Sequence, residues 1–265
     1  MFEDYKLSRL FKEPPGVYPE KDPINPDIIK KLRPLVKLIS LYFRPIFTGL
    51  ENIPGQGPAL LVGNHGIAGF DSVFLFFGVY EATGRMPRGL GDYHLFLDPV
   101  SRKFWTTMGA MSGNRENAVR FLRAGHLVNV YPGGAREAWK GPEDRYKLRW
   151  EKSLGFIKVA MESGSPIILH MGIGTDETYN VLLRMRWIGR MLGHKKYNIP
   201  ILYGWGPLPR PVRFHYYFSK PIYLEGGPEE IEDDDLVRKN HQMVWEKGKR
   251  MLEQGLARRG SVWFG

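Results

Sequence analysis

The chain has 265 residues, no cysteine and a formal net charge of +10 at neutral pH. Its length fits one large α/β domain or a domain with an appended element, and the missing cysteines exclude disulfide bonds, thiolate metal ligands and a cysteine nucleophile. The positive charge favours anionic partners such as phospholipid headgroups, phosphorylated metabolites or nucleic acid.

Residues 1–48 are predicted to form an N-terminal amphipathic helical arm. Asn25 is placed to cap a helix in which apolar residues recur at helical spacing from Ile28 to Phe43, with Lys37 and other bases on another face. Pro34 is expected to kink this helix or to split it in two. The helix either packs on the core with a solvated basic face or lies on a membrane surface, where its bases suit anionic headgroups.

The rest of the chain, residues 49–265, alternates between predicted strands and predicted helices. The expected strands are residues 59–64, 127–131, 166–171 and 212–218, and the expected helices are residues 71–83, 99–108, 115–124, 152–163, 181–192 and 235–257. Such alternation indicates βαβ units. The sequence therefore predicts a single α/β domain with a largely parallel sheet flanked by helices.

Three predicted strand ends carry residues suited to chemistry, and the carboxyl ends of parallel strands gather at one edge of a sheet. His65 follows the first strand, and Asp71 lies close behind it in sequence, so the carboxylate can orient the imidazole as a general base for a hydroxyl. We expect Asp71 also to cap the helix that follows. The loop glycines between the two residues are expected to let a substrate approach the backbone.

The two other strand ends suit the binding of an anion. Gly133 and Gly134 can direct backbone N–H groups at an oxyanion, with Arg136 beside them as a fixed charge. The third end is that of residues 109–114, which lead to Arg115 in the first turn of a predicted helix, where a phosphate is also favoured. Glu137 directly follows Arg136, at the end of the segment that contains the two glycines.

In chain order, these segments resemble the glycerolipid acyltransferase superfamily. The matching blocks are "GLENIPGQGPALLVGNH", "GAMSGNR", "VYPGGAR" and "GSPIILHMGIG". The resemblance implies an O-acyltransferase that moves a fatty acyl group from acyl-CoA or acyl carrier protein to a hydroxyl of a lysophospholipid or related glycerolipid. It implies catalytic roles for His65 and Asp71, and substrate binding by the remaining five residues, Arg115, Gly133, Gly134, Arg136 and Glu137.

The same resemblance implies that the acyl thioester is a co-substrate and that neither a cofactor nor a metal ion is needed. No window reaches the ~18 uninterrupted apolar residues of a membrane-spanning helix. We therefore expect the protein to bind the cytoplasmic face of a membrane peripherally through its basic amphipathic helices, residues 28–44 and 181–192. Nucleic acid is not expected as a partner, because the basic windows are mixed with bulky aliphatic residues.

Two departures from the family pattern leave alternatives open. Five residues instead of four separate His65 from Asp71, because Phe70 stands where the aspartate is expected. Gly133 replaces the family's glutamate, and the Pro-Gly-Gly segment with Glu137 is similar to the diacylglycerol and monoacylglycerol acyltransferases. A neutral lipid or long-chain alcohol is therefore an alternative acceptor. A noncatalytic basic protein that binds lipid or nucleic acid is the alternative of another class.

Overall fold

The computed structural model describes residues 24–96, 98–185 and 199–263. Its helices are α1 Pro26–Phe43, α2 Asp71–Thr83, α3 Pro99–Thr107, α4 Arg115–Arg123, α5 Ala135–Ala138, α6 Gly155–Ser163 and α7 Asp234–Arg258. Its strands are β1 Ile46–Thr48, β2 Ala59–Gly63, β3 Arg88–Gly91, β4 Ala110–Ser112, β5 Leu127–Val130, β6 Ile167–Ile173, β7 Asn180–Met185, β8 Ile199–Tyr203 and β9 His215–Phe218.

Seven strands form one sheet in the order β1-β9-β6-β2-β5-β3-β4. Every neighbouring pair in it is parallel except β6 and β9. The predicted α/β fold with a largely parallel sheet is confirmed. Because β2 lies at the centre between β5 and β6, the segments that follow these three strands meet at one edge.

The alternation of side chains along β2 explains why the sheet is covered on both faces. Leu60 and Val62 belong to a core cluster shared with α4, α6 and α7. Ala59 and Leu61 point to the opposite face and belong to a second cluster, shared with α1 and α2. The strand is fully buried, so its end at Gly63 delivers the next residues to the sheet edge without exposing the core.

Helix α1 has both of the faces that its sequence predicts. The Asn25 side chain accepts hydrogen bonds from the first backbone N–H groups of the helix, at 2.9 and 3.3 Å. Ile29 and Val36 are buried, whereas other apolar side chains point outward. The predicted split at Pro34 is wrong, because the helix runs through this residue, whereas the predicted kink stays a prediction. The proposed boundary at residue 48 falls after β1, which is an edge strand of the sheet.

The predicted helix over residues 181–192 is also wrong in the part that the structure describes. Asn180–Met185 forms β7, which pairs antiparallel with β8 in a separate two-stranded ribbon. A short apolar run fits the helical and the strand period about equally well. The hydrogen bonds to β8, a segment well separated in sequence, decide between them. Residues 186–198 lie outside the described part of the chain.

Across the described ranges, no helix is both long and apolar enough to cross a bilayer.

Candidate active site

The predicted pair, His65 and Asp71, meets at the carboxyl edge of the sheet. The Nδ1 atom of His65 lies 4.0 Å from the Oδ1 atom of Asp71, and their side chains are 18% and 3% exposed. Both facing atoms are buried and without a hydrogen-bond partner among the described residues. Since 4.0 Å exceeds a hydrogen bond, the two groups face each other without being joined.

The extra residue in the His65–Asp71 loop is accommodated by a short 3₁₀ turn, Ile67–Gly69. The turn directs Phe70 away from the site, into ring contacts with Phe43 and Phe214. Phe70 also occupies the N-cap position of α2, so Asp71 is the first helical residue and does not cap the helix. The predicted capping role is wrong, and the Asp71 carboxylate faces the histidine instead.

The loop glycines make room for the side chains of His65 and Asp71. A Cβ atom on Gly69, where φ is +70°, would lie 2.5 Å from the Cε1 atom of His65. A Cβ atom on Gly66 would lie 2.7 Å from the Oδ1 atom of Asp71. Both distances are too short for any side chain. The space that we expected to admit a substrate at these glycines is therefore taken by His65 and Asp71.

Burial sets the protonation of the pair. It lowers the pKa of His65 to about 3, with a second contribution from the positive charge of Lys140. It raises the pKa of Asp71 to about 7, and the negative charge of Asp176 adds to that rise. At neutral pH the imidazole of His65 is therefore unprotonated.

Glu137 lies beneath the site instead of facing the solvent. It is fully buried, its Oε2 atom accepts the backbone N–H of His65 at 2.8 Å, and its Oε1 atom accepts that of Arg149 at 2.8 Å. Burial raises its pKa to about 6. Both oxygens are occupied by the protein's own backbone, which differs from the predicted contact with substrate.

Two buried residues of the site, Lys140 and Asp176, are absent from the sequence-based prediction. The Nζ atom of Lys140 lies 2.7 Å from the Oδ2 atom of Asp176 and donates a hydrogen bond to the carbonyl of His65 at 3.0 Å. In the sequence Lys140 stands in a charged stretch, "WKGPEDRYK", which is typical of a solvated loop. Only the fold, which brings the ends of β5 and β6 beside β2, reveals this pair.

Tyr131, another residue that sequence reasoning missed, supports the imidazole from one side. Its ring stacks on that of His65 with centroids 4.1 Å apart and 14° between the planes. Its hydroxyl is 2.8 Å from that of Ser72 at the start of α2. The position of Tyr131 at the end of β5, directly before Pro132, is the signal that could have identified it.

The predicted anion-binding residues lie near the site, but they contact groups of the protein. Arg115 forms an ion pair with Glu162. Arg136 donates to the carbonyl of Arg149 at 3.0 Å and to the hydroxyl of Ser153 at 3.1 Å. The backbone N–H of Gly134 donates to the carbonyl of Tyr131 at 2.9 Å, in the turn that opens α5. Gly133 fits closely over Glu137, since a Cβ atom there would lie 2.1 Å from the Cδ atom of Glu137.

A cavity of about 230 Å³ leads from Arg115 to Tyr131. Its walls are mostly apolar and include Leu90, Val130 and Phe156. Because Tyr131 lines this cavity and also stacks on His65, the cavity adjoins the His65–Asp71 pair. Its lining suits a hydrocarbon chain better than a charged group.

Comparison with known proteins gives the class that this fold and site define. The family model described as Acyltransferase matches residues 44–170, a range that contains all seven of the predicted site residues. An uncharacterized protein of Mycobacterium tuberculosis is 30% identical over 243 residues, which cover 88% of this chain and 68% of that protein. The chain belongs to the acyltransferase family. It is an O-acyltransferase of glycerolipid type.

Two further likenesses bear on its relatives and its fold. The "DGAT1/2-independent enzyme synthesizing storage lipids" of Homo sapiens is 30% identical over 199 residues, covering 74% of this chain and 58% of that enzyme. The 1-acyl-sn-glycerophosphate (LPA) acyltransferase PlsC of Thermotoga maritima superimposes with a TM-score of 0.51 at 17% identity, over 86% of this chain and 84% of that one. The second likeness shows that the two chains share a fold.

Proposed function

We propose that His65 is the general base of an acyl transfer from a thioester to a lipid hydroxyl. The observation that carries the proposal is the buried, unprotonated imidazole facing Asp71, with its Nε2 atom left for the acceptor. The hydroxyl oxygen attacks the thioester carbonyl carbon while His65 takes the hydroxyl proton. The C–S bond then breaks, and the departing sulfur takes that proton from His65. Asp71 stabilises the imidazolium that exists between these two steps.

The donor in this proposal is acyl-CoA or acyl carrier protein, and no cofactor or metal ion takes part. The apolar cavity beside Tyr131 offers room for part of a hydrocarbon chain. The backbone near Gly133 is the nearest candidate for stabilising the oxyanion, because Gly134 already uses its N–H within the turn. One such donor is worth roughly 3–4 kcal/mol in a transition state where this has been measured.

We infer a neutral acceptor, such as the hydroxyl of a diacylglycerol or a long-chain alcohol, in place of a lysophospholipid. Two carboxyl groups lie against His65, those of Asp71 and Glu137, and a third, that of Asp176, is paired with the Lys140 that donates to the His65 carbonyl. Such a site disfavours a phosphate. The predicted phosphate ligand Arg115 is held by Glu162. The name of the human relative, which refers to storage lipids, agrees with this choice.

The protein is proposed to reach its lipid substrates by binding a membrane surface peripherally, on the cytoplasmic face. Large apolar side chains are exposed on α1, on α3 and in the turn after β8: Leu35, Leu38, Leu41, Val100, Phe104, Trp205 and Leu208. The turn is tied to α1, since the hydroxyl of Tyr42 donates to the carbonyl of Pro209 at 2.7 Å. Exposed Lys30 and Lys37 on α1 would attract anionic headgroups, each by about 1 kcal/mol.

The acceptor is tested with the purified protein, labelled acyl-CoA and liposomes that carry either diacylglycerol or lysophosphatidic acid. The proposal expects faster labelling of diacylglycerol, and it expects Arg115→Ala to leave that rate within a few-fold of wild type. A phosphate-binding Arg115 would instead give fast labelling of lysophosphatidic acid, and the variant would raise KM for that acceptor alone. That result would favour the lysophospholipid that the family resemblance implies.

A further inference from the structure

Both backbone polar groups of His65 are held by side chains from one short segment. The N–H of His65 donates to Glu137 Oε2 at 2.8 Å, and the carbonyl of His65 accepts from Lys140 Nζ at 3.0 Å. Glu137 lies in α5, and Lys140 follows it closely enough for its own N–H to donate to the Glu137 carbonyl at 3.2 Å. Two side chains of the one segment after β5 therefore hydrogen-bond to the N–H and to the carbonyl of His65.

The far ends of these two side chains are fixed as well. Glu137 Oε1 accepts the N–H of Arg149 at 2.8 Å, and Lys140 is paired with Asp176 at 2.7 Å. Asp176 in turn accepts the N–H of Tyr146 at 2.7 Å. Glu137 and Asp176 are 0% exposed and Lys140 is 2% exposed. The segments after β2, β5 and β6 are therefore joined by buried, charged contacts that converge on the backbone of His65.

Asp71 does not hold His65 in this way. The two side chains are 4.0 Å apart, and the Nδ1 atom of His65 has no hydrogen-bond partner among the residues that the structure describes. The loop with its additional residue leaves a gap where a directly bonded pair would meet. Something other than Asp71 must fix where the imidazole points in the absence of substrate.

We propose that Glu137 and Lys140 are positioning residues that fix the backbone of His65 for acyl transfer, a task that the longer loop prevents Asp71 from performing alone. The inference rests on the proposed role of His65 as the base. It also gives the Pro-Gly-Gly segment a physical meaning. Gly133 has no side chain because Glu137 fills that space, and the glutamate acts on the histidine from below instead of on a substrate.

The charge of Lys140 gives a second readout, the pKa values of His65 and Asp71, which a purely structural role would not change. The groups facing His65 are Asp71 from α2, Glu137 and Lys140 from the α5 segment, and two aromatic side chains, Tyr131 and His170. Among them Lys140 lowers the pKa of both His65 and Asp71. In Lys140→Met, where only this charge is removed, both pKa values should rise, so the acidic limb of kcat/KM should move to higher pH.

Lys140→Met alone leaves Asp176 as an unpaired buried charge, so the double variant Lys140→Met/Asp176→Asn is made beside it. Glu137→Gln keeps the shape of the side chain, but its amide has a single oxygen to accept the two backbone N–H groups of His65 and Arg149. For the double variant and for Glu137→Gln, we expect kcat to fall about 10²-fold in folded protein, the usual scale for a misplaced catalytic group. Lys147→Met, which removes an exposed lysine of the same region, serves as the matched control and should keep wild-type kcat.

The decisive measurement is an NMR titration of the His65 ring in the wild type and in both Lys140 variants, with kcat measured in parallel. The proposal expects the ring pKa to rise in Lys140→Met, where only this charge is removed, and kcat to fall in both variants. Folded variants with wild-type kcat would overturn it, whether or not the ring pKa changes. A wild type that transfers no acyl group would contradict the proposed function instead, and the titration would still decide whether Lys140 acts on His65.

Discussion

Gly133 and Glu137 occupy one space between them: a Cβ atom on the glycine would lie 2.1 Å from the carboxyl carbon of the glutamate. The buried carboxylate of Glu137 lies against the backbone of His65 and accepts its N–H at 2.8 Å. The two residues act as one unit. A side chain at Gly133 must push Glu137 away from the histidine.

Gly133→Ala is therefore expected to lower kcat about 10-fold or more and to lower the free energy of unfolding by about 1–3 kcal/mol, the usual cost of overpacking. Combined with Glu137→Gln, its effect on kcat should not add, because both changes disturb the same contact. Gly55→Ala, at an exposed position where a Cβ atom meets nothing within 4 Å, is the control. Additive effects of the two substitutions would show that Gly133 acts independently of Glu137.

Asp71→Asn is expected to stabilise the fold and to impair the reaction. Because burial raises the pKa of Asp71 to about 7, the folded state binds its proton more tightly than the unfolded state does, and stability falls as pH rises from about 4 to 7. The asparagine variant avoids this cost, so its free energy of unfolding at pH 8 should exceed that of wild type by about 2–4 kcal/mol. Denaturation in urea at pH 5 and pH 8 measures the difference.

The rate of the same variant gives an independent check. In wild type, Asp71 must lose its proton to stabilise the imidazolium, so kcat/KM should rise with pH through an apparent pKa near 7 that belongs to the pair. Asp71→Asn should lower kcat at pH 8 by about 10²–10⁴-fold and abolish that limb. Wild-type kcat in the variant would mean that Asp71 has no part in the reaction.

The membrane surface is tested by the double substitution Leu38→Glu/Leu41→Glu, two side chains that are 65% and 73% exposed on α1. Both are already in water, so the fold should be unaffected. Binding to anionic vesicles in a sedimentation assay should fall about 10-fold or more. Met243→Glu, on α7 of the opposite layer, is the matched control and should bind as wild type does. Equal binding by all three proteins would place the membrane contact elsewhere.

The site was predictable from sequence where local pattern and topology agree. His65 and the Pro-Gly-Gly segment were found because each ends a buried apolar run, and parallel strand ends meet at one edge. Lys140 and Asp176 were not found, because a lysine in a charged stretch predicts solvent, and its burial depends on a pairing with a residue after another strand. The strand β7 was missed for a related reason, since its partner β8 lies on the far side of residues 186–198.

The capping role of Asp71 and the placement of Glu137 were misjudged for reasons of geometry. The additional residue in the loop moves the cap position to Phe70, and sequence alone does not show that a 3₁₀ turn takes up the extra length. Glu137 follows a turn, which is typical of an exposed position, but the missing side chain at Gly133 lets it fold inward. Both outcomes depend on how closely the backbone packs, which residue types do not reveal.

The central claim is that His65 is the base of an acyl transfer to a lipid hydroxyl. The most direct measurement compares wild type and His65→Ala for the transfer of labelled acyl groups from acyl-CoA to liposomal diacylglycerol, each at the same folded concentration verified by circular dichroism. The account predicts labelled ester product from wild type and a rate about 10²–10⁴-fold lower from the variant, the usual effect of losing a general base. Product formation at the wild-type rate by folded His65→Ala would contradict it.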